Sequence, residues 1–142
     1  MRVGTYKGYV IAVFLRDEHC PPHVHVRGNG WDARFRFSFL DGRVELWDVD
    51  PERRRPPVAV LEGIRRALLQ PHYLARARRI WWNNLQTICL DNHSWDWEAA
   101  EVIPGLVIRR GVSVIASARH DVAGPRTILN LVRVPDPVEI EL

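Results

Sequence analysis

The sequence predicts an α+β fold: an antiparallel β-meander of about four strands, then two helices, then a β-rich C-terminal extension. Three observations predict it. Residues 31–39 alternate apolar and polar side chains without a break. From Val58 the apolar period changes to three and four. Beyond residue 105, short apolar runs are again cut by Gly and Pro.

Each element has its own reason. Tyr9–Leu15 is a short, nearly continuous apolar run, as expected of a strand buried on both faces. The segment Arg16-Asp17-Glu18-His19-Cys20-Pro21-Pro22 is a polar turn whose prolines forbid helix and favour extended chain. His23–Arg27 is a second strand, and Gly28-Asn29-Gly30 a tight turn. In Trp31–Phe39, Trp31, Ala33, Phe35, Phe37 and Phe39 share one face, with Asp32, Arg34, Arg36 and Ser38 on the other. Asp41-Gly42 turns the chain into a fourth strand, Val44–Val49. After Asp50–Pro57, Val58, Leu61, Ile64, Ala67 and Leu68 mark a helix that Pro56 and Pro57 can start. Gln70-Pro71 breaks it. A second helix, from about His72 to Leu85, buries Leu74, Ala77, Trp81 and Leu85 and turns His72, Arg76, Arg79 and Asn83 outward. Glu98–Val102 reads as one helical turn, followed by strands at Leu106–Ile108, Val112–Ala118, Thr127–Val134 and Val138–Leu142. Residues 1–86 are thus an α+β domain. Residues 87–142 are a β-rich extension expected to pack on it, because so small a β unit has little core of its own.

Composition excludes several classes. The chain has 142 residues, 46% hydrophobic and 26% charged, which suits a globular protein and not a disordered one. No apolar run approaches the roughly 18–20 residues that span a bilayer, and no signal-peptide pattern opens the sequence. Two cysteines, Cys20 and Cys89, are too few for a disulfide framework, so a reduced, cytoplasmic protein without a membrane partner is expected. Net charge is +3, but unevenly placed: residues 1–86 carry 15 basic and 9 acidic side chains, residues 87–142 carry 5 and 8. A basic part joined to an acidic part points to a polyanion-facing surface or to contact between the parts.

The least ordinary chemistry is His19-Cys20-Pro21-Pro22-His23-Val24-His25-Val26. On a strand, His23 and His25 share a face and can hold a metal ion or a phosphate, or divide acid and base roles. An even hairpin register places Val24 and Val26 with Trp31, Ala33 and Phe35 in the core. His23, His25 and Arg27 then share the outer face with Asp32, Arg34 and Arg36. The commoner reading of such a pair is structural. For a metal, zinc or another divalent ion, Cys89, Asp91 and His93 could add ligands if that segment is extended, but no high-specificity zinc spacing is present. No cofactor is the expected state. Glycine-rich phosphate loops and a nucleophile context are also absent from the sequence. For phosphate contact, Arg27, Arg34, Arg36, Arg54 within Arg53-Arg54-Arg55, and the stripe His72, Arg76 and Arg79 are the best candidates.

The order of a short N-terminal strand, His19-x-Pro21-Pro22-His23-x-His25-Val26, a Gly-containing turn, an alternating strand with Ala33-Arg34 and a helical tail ending in Trp81-Trp82 resembles domain of unknown function 4160. This is a small bacterial family often encoded in toxin–antitoxin-like gene pairs. The resemblance covers about residues 3–85 and implies a small cytosolic component of such a pair, with a cognate protein partner and no assigned reaction. Only Pro21, Pro22, His23, His25 and Val26 match its motif. Cys20 stands where the family varies, and residues 87–142 exceed the family's usual length. The leading expectation is a protein- or nucleic-acid-binding module using a basic His/Arg surface, with binding favoured over catalysis. The alternatives are a His-dependent or metal-dependent phosphodiesterase or ribonuclease acting through His23 and His25, and a structural module that forms homo-oligomers.

Overall fold

The computed structural model describes residues 1–16 and 18–142; Asp17, within the expected Arg16–Pro22 turn, lies outside them. The fold is α+β, with two antiparallel five-stranded sheets and two helices among the described residues. It comprises two compact units, Met1–Gln86 and Thr87–Leu142.

The first unit is a meander of five strands, one more than expected: β1 (Arg2–Tyr6), β2 (Tyr9–Ala12), β3 (His23–Gly28), β4 (Trp31–Phe37) and β5 (Val44–Asp50), paired in that order. The additional strand is β1, turned into β2 by Lys7 and Gly8, both with positive φ. Two helices follow, α1 (Val58–Leu68) and α2 (Pro71–Leu85), with Pro71 at the first turn of α2 where its missing N–H costs nothing.

The β3–β4 hairpin has the even register. His23 lies opposite Arg36, Val24 opposite Phe35, His25 opposite Arg34, and Gly28 opposite Trp31. Val24, Val26, Ala33 and Phe35 are all fully buried on one face, because a one-residue slip would expose this whole apolar set. The two-residue loop Asn29-Gly30 closes the hairpin, Gly30 supplying a φ of +80°. The β4–β5 pairing carries a bulge: Arg34 faces Asp48 and Phe35 faces Leu46, so Trp47 is the extra residue.

Helix α1 touches both β1 and β5, the two ends of the strand order, so the sheet curls around it. Leu61, Ile64, Ala67 and Leu68 form its buried stripe, whereas Val58 is exposed. Helix α2 buries Leu74, Ala77, Ile80 and Trp81; Leu85 is only half-buried. It also buries Arg78, whose guanidinium donates to the carbonyls of Ser38 (2.8 Å) and Asp41 (2.7 Å) and so ties α2 to the β4–β5 connection. Burial lowers the Arg78 pKa, partly opposed by the Asp41 charge.

The second unit contains β6 (His93–Asp96), β7 (Glu101–Pro104), β8 (Val112–Asp121), β9 (Arg126–Leu131) and β10 (Val138–Glu141), in the order β10-β9-β8-β6-β7. The expected helical turn at Glu98–Val102 is instead a hairpin connection, with Ala100 at positive φ, leading into β7. Leu106–Ile108 is not a strand; Ile108 is almost wholly exposed. Ile88, Trp95, Ile115, Ile128, Leu129 and Leu131 are the buried apolar residues of this unit. Among the described residues, no helix is long and apolar enough to cross a membrane.

Candidate functional site

Strand β3 sends His23 and His25 to the same face, as two-residue spacing requires. The two rings are not open to solvent. His23 is 1% exposed and His25 12%. The His23 ring meets Trp47 (centroids 5.2 Å apart) and Trp81 (5.4 Å) edge-on, and His25 stacks on Phe14 at 4.4 Å. The bulge in β5 brings Trp47 to the pair, and the chain before β3 covers it.

That preceding chain adds a residue the sequence reading passed over. Glu18, its side chain 5% exposed, places Oε2 at 2.8 Å from His23 Nε2 and Oε1 at 3.2 Å from His25 Nε2. The other nitrogen of each ring is also held. His23 Nδ1–H donates to the Pro21 carbonyl at 2.8 Å, and His25 Nδ1 lies 3.1 Å from Asp32 Oδ1. Both Nε2 atoms therefore face one carboxylate, with each ring's tilt fixed from behind. Burial lowers the His23 pKa below the ordinary histidine value. The Pro21 carbonyl and the Glu18 charge oppose this, while His25 and Arg34 reinforce it.

The arginines expected to form a polyanion surface on the sheet are matched with acids. Arg34 donates to Asp48 through both Nε (2.8 Å) and Nη2, and its guanidinium lies 4.0 Å over the Trp47 ring. The Arg34 hydrogen bond holds the Asp48 carboxyl below its usual range. Arg36 pairs with Glu45 at 3.1 Å, and Arg27 with Asp32 at 3.4 Å. The sheet face is thus a mixed ion-pair ladder, because β5 supplies Glu45 and Asp48 opposite the basic residues of β4.

Helix α2 is different. His72, Arg76, Arg79 and Asn83 are all exposed, as the helical period predicts. Arg2, Arg76, Arg79, Asn83 and Asn84, with Met1 and Ile80, line a cleft of about 490 Å³, with no acidic residue in its lining among the described residues. Among the described residues, Arg76 and Arg79 have no ion-pair partner. Arg2, on β1, completes this group and was outside the sequence candidates, because the strand that carries it lacks a strong pattern. Arg54 is exposed elsewhere, its guanidinium beside Gly30.

The suggested ligand set Cys89, Asp91 and His93 does not form. Cys89 and Asn92 both have positive φ, which breaks the extended alternation that would align the three. Neither Cys20 nor Cys89 is a free thiol, contrary to the expectation of reduced cysteines. His93 Nδ1–H turns back to the Asp91 carbonyl at 2.8 Å. Glu18, His23 and His25 are the one group of three or more His, Cys, Asp or Glu residues placed to share a metal ion among the described residues. Comparison with protein-family models, curated proteins and solved structures finds no match to this chain.

Proposed function

We propose that the chain is a nucleic-acid-binding component of a toxin–antitoxin-type pair and that it holds phosphates with the α2 face. The observation that carries this reading is the cleft lined by Arg2, Arg76, Arg79, Asn83 and Asn84, whose lining has no carboxylate among the described residues. Guanidinium groups match phosphate oxygens as paired donors, and Asn83 adds a neutral donor to the same concavity, whereas the Asn84 amide donates to the Ile80 carbonyl at 2.8 Å. The matched arginines of the sheet face contribute less, because a phosphate must there displace Asp32, Asp48 or Glu45. The place in a toxin–antitoxin pair rests on the motif from Pro21 to Val26 and implies a cognate protein partner. The test is the salt dependence of binding to nucleic acid. Affinity should fall steeply with salt, and replacing Arg76 and Arg79 with alanine should flatten that fall. Salt-independent binding would end the reading.

A second reading, a His-dependent phosphodiesterase, is favoured by the convergence of His23 and His25 on Glu18. It requires that His25→Ala abolish cleavage of a nucleic acid while leaving its binding intact.

A further inference from the structure

We propose that Glu18, His23 and His25 form a site for one divalent transition-metal ion of the zinc class, with a coordination position left for water or an anionic ligand. This lies on β3 and the chain before it, and it stands or falls independently of phosphate binding by α2.

Geometry carries the first part. One donor atom from each of the three residues lies within 4.8 Å of the others. The closest carboxylate–imidazole separations are 2.8 and 3.2 Å. Ligands at about 2.0–2.1 Å around a tetrahedral zinc ion stand roughly 3.3 Å apart, so small movements would admit the ion. The histidines are also oriented as ligands are. Each gives its Nδ1 to an oxygen behind it, the Pro21 carbonyl for His23 and the Asp32 carboxylate for His25. A ring so held presents its Nε2 lone pair forward, which is how metal-bound histidines are supported in general.

Charge and burial carry the second part. With both Nδ1 protons given to the oxygens behind, neutral rings face the Glu18 carboxylate lone pair to lone pair, a repulsion that a proton or a metal cation among the three relieves. Glu18 in the site and Asp32 behind it together balance a divalent cation. The donor set of two imidazoles and one carboxylate suits zinc, iron, cobalt or nickel; calcium and magnesium prefer oxygen alone. Phe14, Trp47 and Trp81 wall the rings and restrict water. No fourth His, Cys, Asp or Glu joins the group among the described residues. Three protein ligands are the pattern of sites that keep a position for water or substrate, whereas structural zinc sites are closed by four.

The test uses the intact chain, stripped with a chelator and dialysed. Zinc is titrated calorimetrically, and cobalt is added as a visible-absorption probe of coordination. One zinc per chain is expected, with cobalt bands of a low-coordinate nitrogen–oxygen site. Glu18→Gln and His25→Ala should each weaken zinc binding at least tenfold while circular dichroism shows the fold retained. Asp32→Asn, which meets the site only through the back of His25 and otherwise pairs with Arg27, should weaken it about 10- to 100-fold without changing stoichiometry. His93→Ala should change nothing. If Glu18→Gln and His25→Ala fail to fold, the parent stoichiometry and Asp32→Asn decide the matter. Absence of saturable one-to-one binding overturns the proposal. So does binding that survives Glu18→Gln and His25→Ala in folded protein, or a parent affinity that Asp32→Asn leaves unchanged.

Discussion

Replacing Arg76 and Arg79 together with alanine should change the salt dependence of nucleic-acid binding by a calculable amount. The cleft presents three arginines, Arg2, Arg76 and Arg79. Each phosphate neutralised contributes about −0.9 to the log–log salt slope on duplex DNA, or about −0.7 on a single strand. Three contacts then give a slope of about −2.7 or −2.1. A fourfold rise in salt, from about 50 to 200 mM, should weaken binding about 40-fold on duplex and about 20-fold on a single strand. With Arg2 alone, the same rise should cost only about threefold. Fluorescence anisotropy with a labelled oligonucleotide, at four salt concentrations, measures the slopes. Net charge alone would also lower affinity, so the control is Arg43→Ala with Arg66→Ala, which removes the same charge from arginines paired with Asp41 and Glu62. That control should keep most of the parent slope. Equal slopes for the Arg76/Arg79 variant and the parent would refute the assignment of phosphate contact to α2.

Three further outcomes follow from the packing and the charges. Arg78→Met should destabilise the protein by about 2–4 kcal/mol in urea denaturation. It removes two hydrogen bonds from a charged donor, each worth about 1.5–3 kcal/mol, and recovers part of the cost of burying that charge. A loss below about 0.5 kcal/mol would show that water replaces the guanidinium without penalty. Gly28→Ala should cost about 1–3 kcal/mol, because a methyl at Gly28 would interpenetrate the Trp31 indole packed across it. The same denaturation series reads it, and an unchanged midpoint would mean that the ring relocates freely. The third outcome concerns acid. Arg65 and Arg66 hold the Glu62 carboxyl at about 2, well below its ordinary 4.5. A depressed carboxylate stabilises the fold above its unfolded pKa and ceases to do so as pH falls through the folded one. Stability measured between pH 4.5 and pH 2 should therefore decline less steeply in Glu62→Gln than in the parent. Identical acid limbs would show that the pairing does not couple to folding.

The β3–β4 hairpin was legible because alternation and charge agree: only one register buries Val24 and Val26 beside Ala33 and Phe35 while grouping the arginines. Helix α2 was legible for the same reason, down to its exposed stripe. Strand β1 was not. Arg2–Tyr6 is short, and its Gly4 interrupts the pattern because the Tyr73 ring of α2 packs directly over it. Arg78 falls on the buried face by spacing, between Leu74 and Trp81, yet a charge is ordinarily read as solvated. Only the two carbonyl acceptors explain its position. Glu18 carries no periodic signal, since it reaches the histidines by the course of a proline-rich turn. The outer face was correctly composed, but the burial of its two histidines carries no sequence signal. Sequence shows which residues share a face, and not that Trp47, Phe14 and Glu18 close over His23 and His25 while Arg27 and Arg36 stay exposed. In residues 87–96, two positive-φ residues, Cys89 and Asn92, undo an alternation that exists only on paper.

The bulge at Trp47 has a consequence for how such a site can be acquired. Without Trp47, β5 reads Val44-Glu45-Leu46-Asp48-Val49-Asp50, an unbroken alternation whose partners on β4 are those already observed. The tryptophan is thus an insertion that the ladder accommodates at a single point, leaving every other cross-strand pair in place. Deleting the Trp47 codon would remove one side of the aromatic wall beside His23, with Trp81 still in place, and would leave the sheet's core pairs as they are. The ladder and this one wall of the site are separable even though they touch in space.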